Sequence, residues 1–220
     1  MKDLNQLLLK FDLKQNYQHE DFYVSKSNFY AFNLINKWPK WEKNILNIYG
    51  EKYSGKTHLS NIFIKKFKGK KIIANQFNNE TLKEFKVFEN LVLDDFDENV
   101  DEKLMYTLFN IADQDNKYIL INSLAPINQL NFKLADFISR TKNCLFAKIE
   151  KPDDELIFAI LLKNFSDRQI TIEKKLIDFI IKHIDRSYGK IYEFIYKIDE
   201  ISLKKKKSID FKIIKEALKD

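Results

Sequence analysis

Apolar positions follow two regimes along this chain. In the first, short runs rich in β-branched and aromatic residues recur at 44–50 (NILNIYG), 70–76 (KKIIANQ), 90–95 (NLVLDD), 117–123 (KYILINS) and 143–149 (NCLFAKI). Between them lie stretches whose apolar residues return every three or four positions, such as HLSNIFIKKF after the first run and EKLMYTLFNIADQ after the third. Strands alternating with helices predict an α/β unit built on a five-stranded parallel sheet covered on both faces. After Pro152 only the helical spacing remains, in DDELIFAILLKNF, IEKKLIDFIIKHI, KIYEFIYKIDEI and FKIIKEAL. That predicts a small helical bundle closing the chain. The expected division is a flexible tail over 1–16, an α/β unit over 17–151 and a helical unit over 152–220, with no internal repeat.

Composition agrees with this plan. A chain of 220 residues with 45% hydrophobic and 32% charged residues can bury a core under a solvated surface. The net charge is +6, yet the 38 basic residues are scattered among 32 acidic ones. This favours solubility without establishing a polyanionic partner. Lys204 to Lys207 is the one pure basic run, read as a solvated loop between helices. One cysteine, Cys144, excludes an internal disulfide framework and sits in a strand pattern that points to core packing. The N-terminus carries no apolar run long enough for a signal peptide or membrane span, so the expected location is the cytoplasm.

The strongest chemical signal is GEKYSGKT, Gly50 to Thr57, a complete G-x-x-x-x-G-K-[ST] pattern framed by a strand and a helix. In that setting the loop backbone from Gly50 through Ser54 and Gly55 cradles phosphates, Lys56 balances their charge and the Thr57 hydroxyl ligates magnesium. A purine nucleotide is the expected ligand. The second signal is LVLDDFD, an apolar strand that delivers Asp94 and Asp95 to the carboxyl edge of the sheet. Asp94 is expected to hold magnesium, and Asp95 to orient or polarise an attacking water. A third feature is QLLLKF, Gln6 to Phe11, whose glutamine and four large apolar residues precede the first predicted element. It reads either as a short piece packed on the core or as an extended segment that fills a partner's groove.

Together, NIYGEKYSGKTHLSNIF and LVLDDFD resemble the AAA+ ATPases of the bacterial DnaA group, in which a His-Leu pair, here His58 and Leu59, follows the phosphate loop. FYVSKSNFYAF at 22–32 is similar to the group's adenine-side segment, with Phe22, Ser27, Asn28 and Ala31 at matching places. The resemblance runs from about residue 20 to the end of the helical unit, which it identifies as a lid. No helix-turn-helix pattern follows that lid, and in this the plan looks like the Hda-type regulators that inactivate DnaA.

What that resemblance implies is specific. QLLLKF matches the clamp-binding pattern Q-x-x-L-x-F through Gln6, Leu9 and Phe11, which implies docking on the DNA polymerase III sliding clamp, its beta subunit. Arg140, after Ser139, takes the place of an arginine finger offered to DnaA-bound ATP; the competing expectation is a surface pair with Asp136 on the same helix face. Asn122 and Ser123 occupy the sensor strand end, although the usual acidic residue beyond them is replaced by Leu124. Gly189 stands where relatives carry a lid arginine, with Lys190 beside it as a substitute point charge and Arg186 three residues earlier.

The implied cofactors are ADP or ATP with Mg2+, held by Gly50, Ser54, Gly55, Lys56, Thr57, His58, Asn122 and Lys190, with Thr57 and Asp94 as the metal ligands. Degraded sensors imply that nucleotide serves as a structural or conformational element and that the chain's own ATPase is weak. The implied function is a regulator that binds the DNA-loaded clamp and stimulates hydrolysis of DnaA-bound ATP, preventing re-initiation. The alternatives are a free-standing ATPase of the helicase-loader type and a non-catalytic clamp adaptor. Sequence-specific DNA binding and membrane association are not expected, and a homodimer is left open.

Overall fold

The computed structural model describes residues 22–168, 170, 172–205 and 207–218. Among these, the strands are β1 (Ile45–Tyr49), β2 (Lys70–Ile73), β3 (Asn90–Phe96), β4 (Tyr118–Ser123) and β5 (Leu145–Lys148). All pair in parallel, in the order β2-β3-β4-β1-β5. Each apolar run therefore contains a strand, trimmed at one or both ends in most of them. After β2 the chain leaves the sheet in a short 3-10 turn at Ala74–Gln76.

The central strands are apolar on both faces because both are covered. In β1, Ile45 packs with one cluster while Leu46 and Ile48 pack with the other. The same alternation sends Leu91, Leu93, Ile119 and Ile121 to the first side and Val92 and Leu120 to the second. Helices α1 (Phe29–Lys37) and α2 (Lys56–Phe67) close the second face with Ala31, Ile35, Leu59 and Phe63. Helices α3 (Asn79–Phe85), α4 (Glu102–Gln114) and α5 (Ala135–Lys142) close the first with Phe85, Leu108, Phe109 and Phe137. Truncating a wholly buried ring such as Phe63 or Phe109 would cost about 3–5 kcal/mol.

Helices α6 (Asp154–Asp167), α7 (Lys174–His183), α8 (Tyr188–Lys205) and α9 (Phe211–Ala217) bury a core of their own, including Leu161, Phe165, Ile177, Ile180, Ile195, Ile198 and Ile214. Their three-and-four spacing in sequence is the stripe that faces inward. Acidic caps start α6 and α9: Asp153 accepts from the Leu156 amide at 2.8 Å and Asp210 from the Ile213 amide at 2.9 Å. Leu156 and Tyr188, at the starts of α6 and α8, pack into the sheet-side cluster and seat the lid on the α/β unit.

The first half of the basic run differs from expectation, while Lys207 lies in the exposed loop before α9. Lys204 and Lys205 form the last turn of α8, where cations suit the negative end of the helix dipole, and they pair with Glu200 and Glu216. Among the described residues no helix is long and apolar enough to cross a membrane.

Candidate functional site

β1, β3 and β4 end on one rim of the sheet, so the phosphate loop, the aspartates and Asn122 converge there by topology. Leaving β1, the chain turns at Gly50, where an added Cβ would lie 2.8 Å from the Ile149 carbonyl oxygen. Gly55, at φ +95°, starts α2 in a left-handed conformation that a side chain would strain. Just after Gly55, Lys56 folds back over the loop, and its Nζ donates to the Gly50 and Glu51 carbonyls at 2.8 and 2.7 Å. Burial lowers the Lys56 pKa, against the raising effect of the nearby Asp94, Asp95 and Glu51 charges.

Asp94 is the hub. Its Oδ1 accepts from Asn122 Nδ2 at 2.8 Å and lies 3.4 Å from the Thr57 hydroxyl. Its Oδ2 pairs with Lys71 Nζ at 2.8 Å. Burial pushes the carboxyl up, but the hydrogen bonds from Lys71 and Asn122, the Lys71 charge and the Thr57 hydroxyl outweigh it and hold the group below its ordinary value. Because a carboxylate only accepts, Asn122 must point its amide nitrogen at Asp94; that nitrogen also donates to Ser60 Oγ at 2.6 Å. Asn122 Oδ1 is buried without a protein partner, on the same amide that contacts Asp94. Asp95 sits at φ +51° where the β3–β4 register breaks, and its side chain is exposed.

The donor set suits a hard dication: the Thr57 hydroxyl and the Asp94 carboxylate are adjacent oxygens on the phosphate-loop rim. Among the described residues no group of three or more His, Cys, Asp or Glu side chains forms a metal cage. A magnesium ion here would thus depend on phosphate oxygens as well.

The segment that leads into α1 is a tight polar turn. Asn28 accepts from the Ser25 amide and donates to the Tyr23 carbonyl, both at 2.9 Å, while the Ser27 amide reaches Asp153 at 3.3 Å. This turn places Phe22 edge-on to His58, with ring centroids 5.2 Å apart, and against Gly55. Phe22 and His58 therefore join the loop, with Ala31 buried behind them.

The lid reaches the loop through residues that no sequence motif marks. The Tyr188 amide donates to Glu51 Oε2 at 3.1 Å, and its hydroxyl, pushed up to about 12 by burial, donates to the Glu150 carbonyl at 3.0 Å. Tyr53 in the loop meets Tyr192 of α8 with rings 5.2 Å apart. Lys190, by contrast, is exposed and pairs with Glu193 at 2.8 Å, and Arg186 pairs with Asp154 at 2.7 Å. Neither cation is directed at the phosphate loop by these contacts. Leu124 is 68% exposed beyond the sensor strand.

Arg140 stands apart on α5. It pairs with Asp113 of α4 at 2.8 Å, rather than with the Asp136 expected from helix spacing. Arg140 and Asp136 line a surface cavity with Tyr106, Ser139 and Asn143, to which the phosphate loop contributes no residue. Gln6, Leu9 and Phe11 lie outside the described residues. Sequence reasoning missed Lys71, Ser60, Glu51 and Tyr188; each acts through a partner distant in sequence.

Comparison with known proteins gives the same picture. No family model matches the sequence. The chromosomal replication initiator protein DnaA of Borreliella afzelii is 26% identical over 235 residues, covering 94% of this chain and 48% of that protein. The chain thus spans about half the length of the curated relatives it matches. Domain III of the Thermotoga maritima replication initiation protein DnaA superposes with a TM-score of 0.74 at 23% identity, covering 93% of this chain and 96% of that one. AMPPCP-bound DnaA from Aquifex aeolicus gives a TM-score of 0.67 at 21% identity, over 89% of this chain and 71% of that one. The fold is that of an AAA+ P-loop protein, and the chain is DnaA-like along nearly all its length.

Proposed function

We propose that this chain is a nucleotide-holding regulator of replication initiation that acts on DnaA at the sliding clamp. The observation that carries the nucleotide reading is the convergence of the Lys56-closed loop, Thr57, Asp94 and Asn122 on one rim. The α2 amides and Lys56 would bind the phosphates of ADP or ATP; Phe22 and His58 would flank the base side. DnaA of Aquifex aeolicus is bound to AMPPCP in the matching fold, which supports the same ligand class here. Magnesium, when bound by Thr57 and Asp94, would neutralise phosphate charge and polarise the terminal phosphoryl group. Held between the α/β unit of 17–151 and the lid of 152–220, the nucleotide would fix their relation through Glu51 and Tyr188.

Arg140 supports the regulatory part. Its guanidinium is partly exposed in an exchangeable surface pair, so a partner's phosphate could displace Asp113 at small cost. An arginine delivered in trans stabilises charge developing on a transferring phosphoryl group. The Gln6–Phe11 segment would deliver the chain to the clamp in the cytoplasm, with Leu9 and Phe11 as apolar anchors.

The test is hydrolysis of DnaA-bound ATP with clamp loaded on DNA. Intact protein should accelerate it, whereas Arg140→Ala and a Gln6→Ala, Leu9→Ala, Phe11→Ala variant should not. Acceleration that survives Arg140→Ala would leave an adaptor; no acceleration by any form would end the regulatory reading. A second reading, a free-standing ATPase, is favoured by the exposed Asp95 carboxylate one residue beyond Asp94, open to a water at the strand end. It requires steady turnover of ATP by this chain alone, abolished in Asp95→Asn.

A further inference from the structure

The contact that neither motif explains is Lys71 with Asp94. Alternation along β2 and β3 puts Lys71, Val92 and Asp94 on the face covered by α2, with Lys71 opposite Val92 in register. From there the Lys71 ammonium bridges Asp94 Oδ2 at 2.8 Å and Asn61 Oδ1 of α2 at 3.0 Å. Asp94 is 5% exposed, and its other oxygen takes Asn122, Thr57 and the Asp95 amide. Every face of the metal-ligand carboxylate is thus engaged by this chain's own groups, one of them a cation held in place by a second acceptor.

We infer that Lys71 is a built-in counter-cation of Asp94, which makes nucleotide binding by this chain largely independent of magnesium and damps metal-assisted hydrolysis; the inference rests on the nucleotide reading above. An incoming dication meets the ammonium as a like charge at the same carboxylate, so ion and lysine compete for it. Without a dication the lysine keeps Asp94 neutralised, and the phosphates do not face a bare buried carboxylate. A surface lysine pair would carry no such consequence, because solvent would screen it. Here the acceptor is buried on the nucleotide rim.

The experiment is calorimetric titration of the full chain with ADP, in excess EDTA and in excess magnesium. Wild type should bind with dissociation constants within about threefold of one another, and Lys71→Arg should behave alike; Lys71→Met should bind at least about tenfold more weakly in EDTA than in magnesium. Thermal unfolding checks that each variant folds. If Lys71→Met does not fold, the wild-type ratio alone decides. A wild-type protein that binds ADP at least about tenfold more tightly with magnesium overturns the inference and leaves the nucleotide reading intact. So does a Lys71→Met protein whose ratio matches wild type. Absence of ADP binding in either buffer overturns both.

Discussion

The Tyr188 amide, at the first residue of α8, donates to the Glu51 carboxylate inside the phosphate loop at 3.1 Å. Glu51 therefore caps a lid helix from 137 residues away in sequence. Removing it in Glu51→Ala leaves a helix N-terminal amide without its acceptor, and should cost about 1 kcal/mol in urea unfolding, within the range of lost N-caps. Glu51→Gln, which retains an acceptor oxygen, should recover most of that.

Acid sensitivity should appear at Asp153, which caps α6 and also accepts from Ser27. Burial pushes its carboxyl up, but the Leu156 amide and the Ser25 and Ser27 groups win and hold it below the ordinary value. A carboxyl depressed in the folded state stabilises fully above its unfolded pKa, about 3.9, and loses that contribution as pH falls through the folded pKa. Stability measured by urea unfolding should fall below about pH 4, and less steeply in Asp153→Asn, which still caps but does not titrate.

Gly189, where the family resemblance implies an arginine, leaves room for a side chain. A Cβ there would meet only Ser187 Oγ, at an ordinary 3.7 Å. Gly189→Arg should fold with a stability change under about 1 kcal/mol, because gained helix propensity opposes a cation near a helix N-terminus. Its ATP affinity by calorimetry should exceed wild type. Equal affinity would mean that this position does not face the phosphates.

Cys144 should be inert in the native protein. Burial raises its thiol pKa to about 12, so almost no thiolate is present at neutral pH. Labelling by a colourimetric disulfide reagent should be negligible until denaturant is added, then stoichiometric.

Much of this was legible in the sequence, for physical reasons. Parallel strands buried on both faces write continuous apolar runs, and the runs at 44–50 and 117–123 became β1 and β4. The phosphate loop is contiguous because its chemistry needs adjacent backbone amides. The contacts made across the sheet or between layers were invisible: Lys71 finds Asp94 only because β2 and β3 are neighbours. Arg140 chose Asp113 over Asp136 because α4 packs beside α5, a preference that helix spacing does not encode. Lys190 stood beside the lid position in the linear match, yet it pairs with Glu193 on its own helix.

Nucleotide occupancy of the Gly50–Thr57 loop is the claim on which the rest stands, and calorimetry of wild type against Lys56→Ala with ADP tests it most directly. One-to-one binding that weakens at least about tenfold in a folded Lys56→Ala protein is the predicted result, since the ammonium that now holds the Gly50 and Glu51 carbonyls would turn to phosphate. Equal binding by both proteins, or none by wild type, would contradict it.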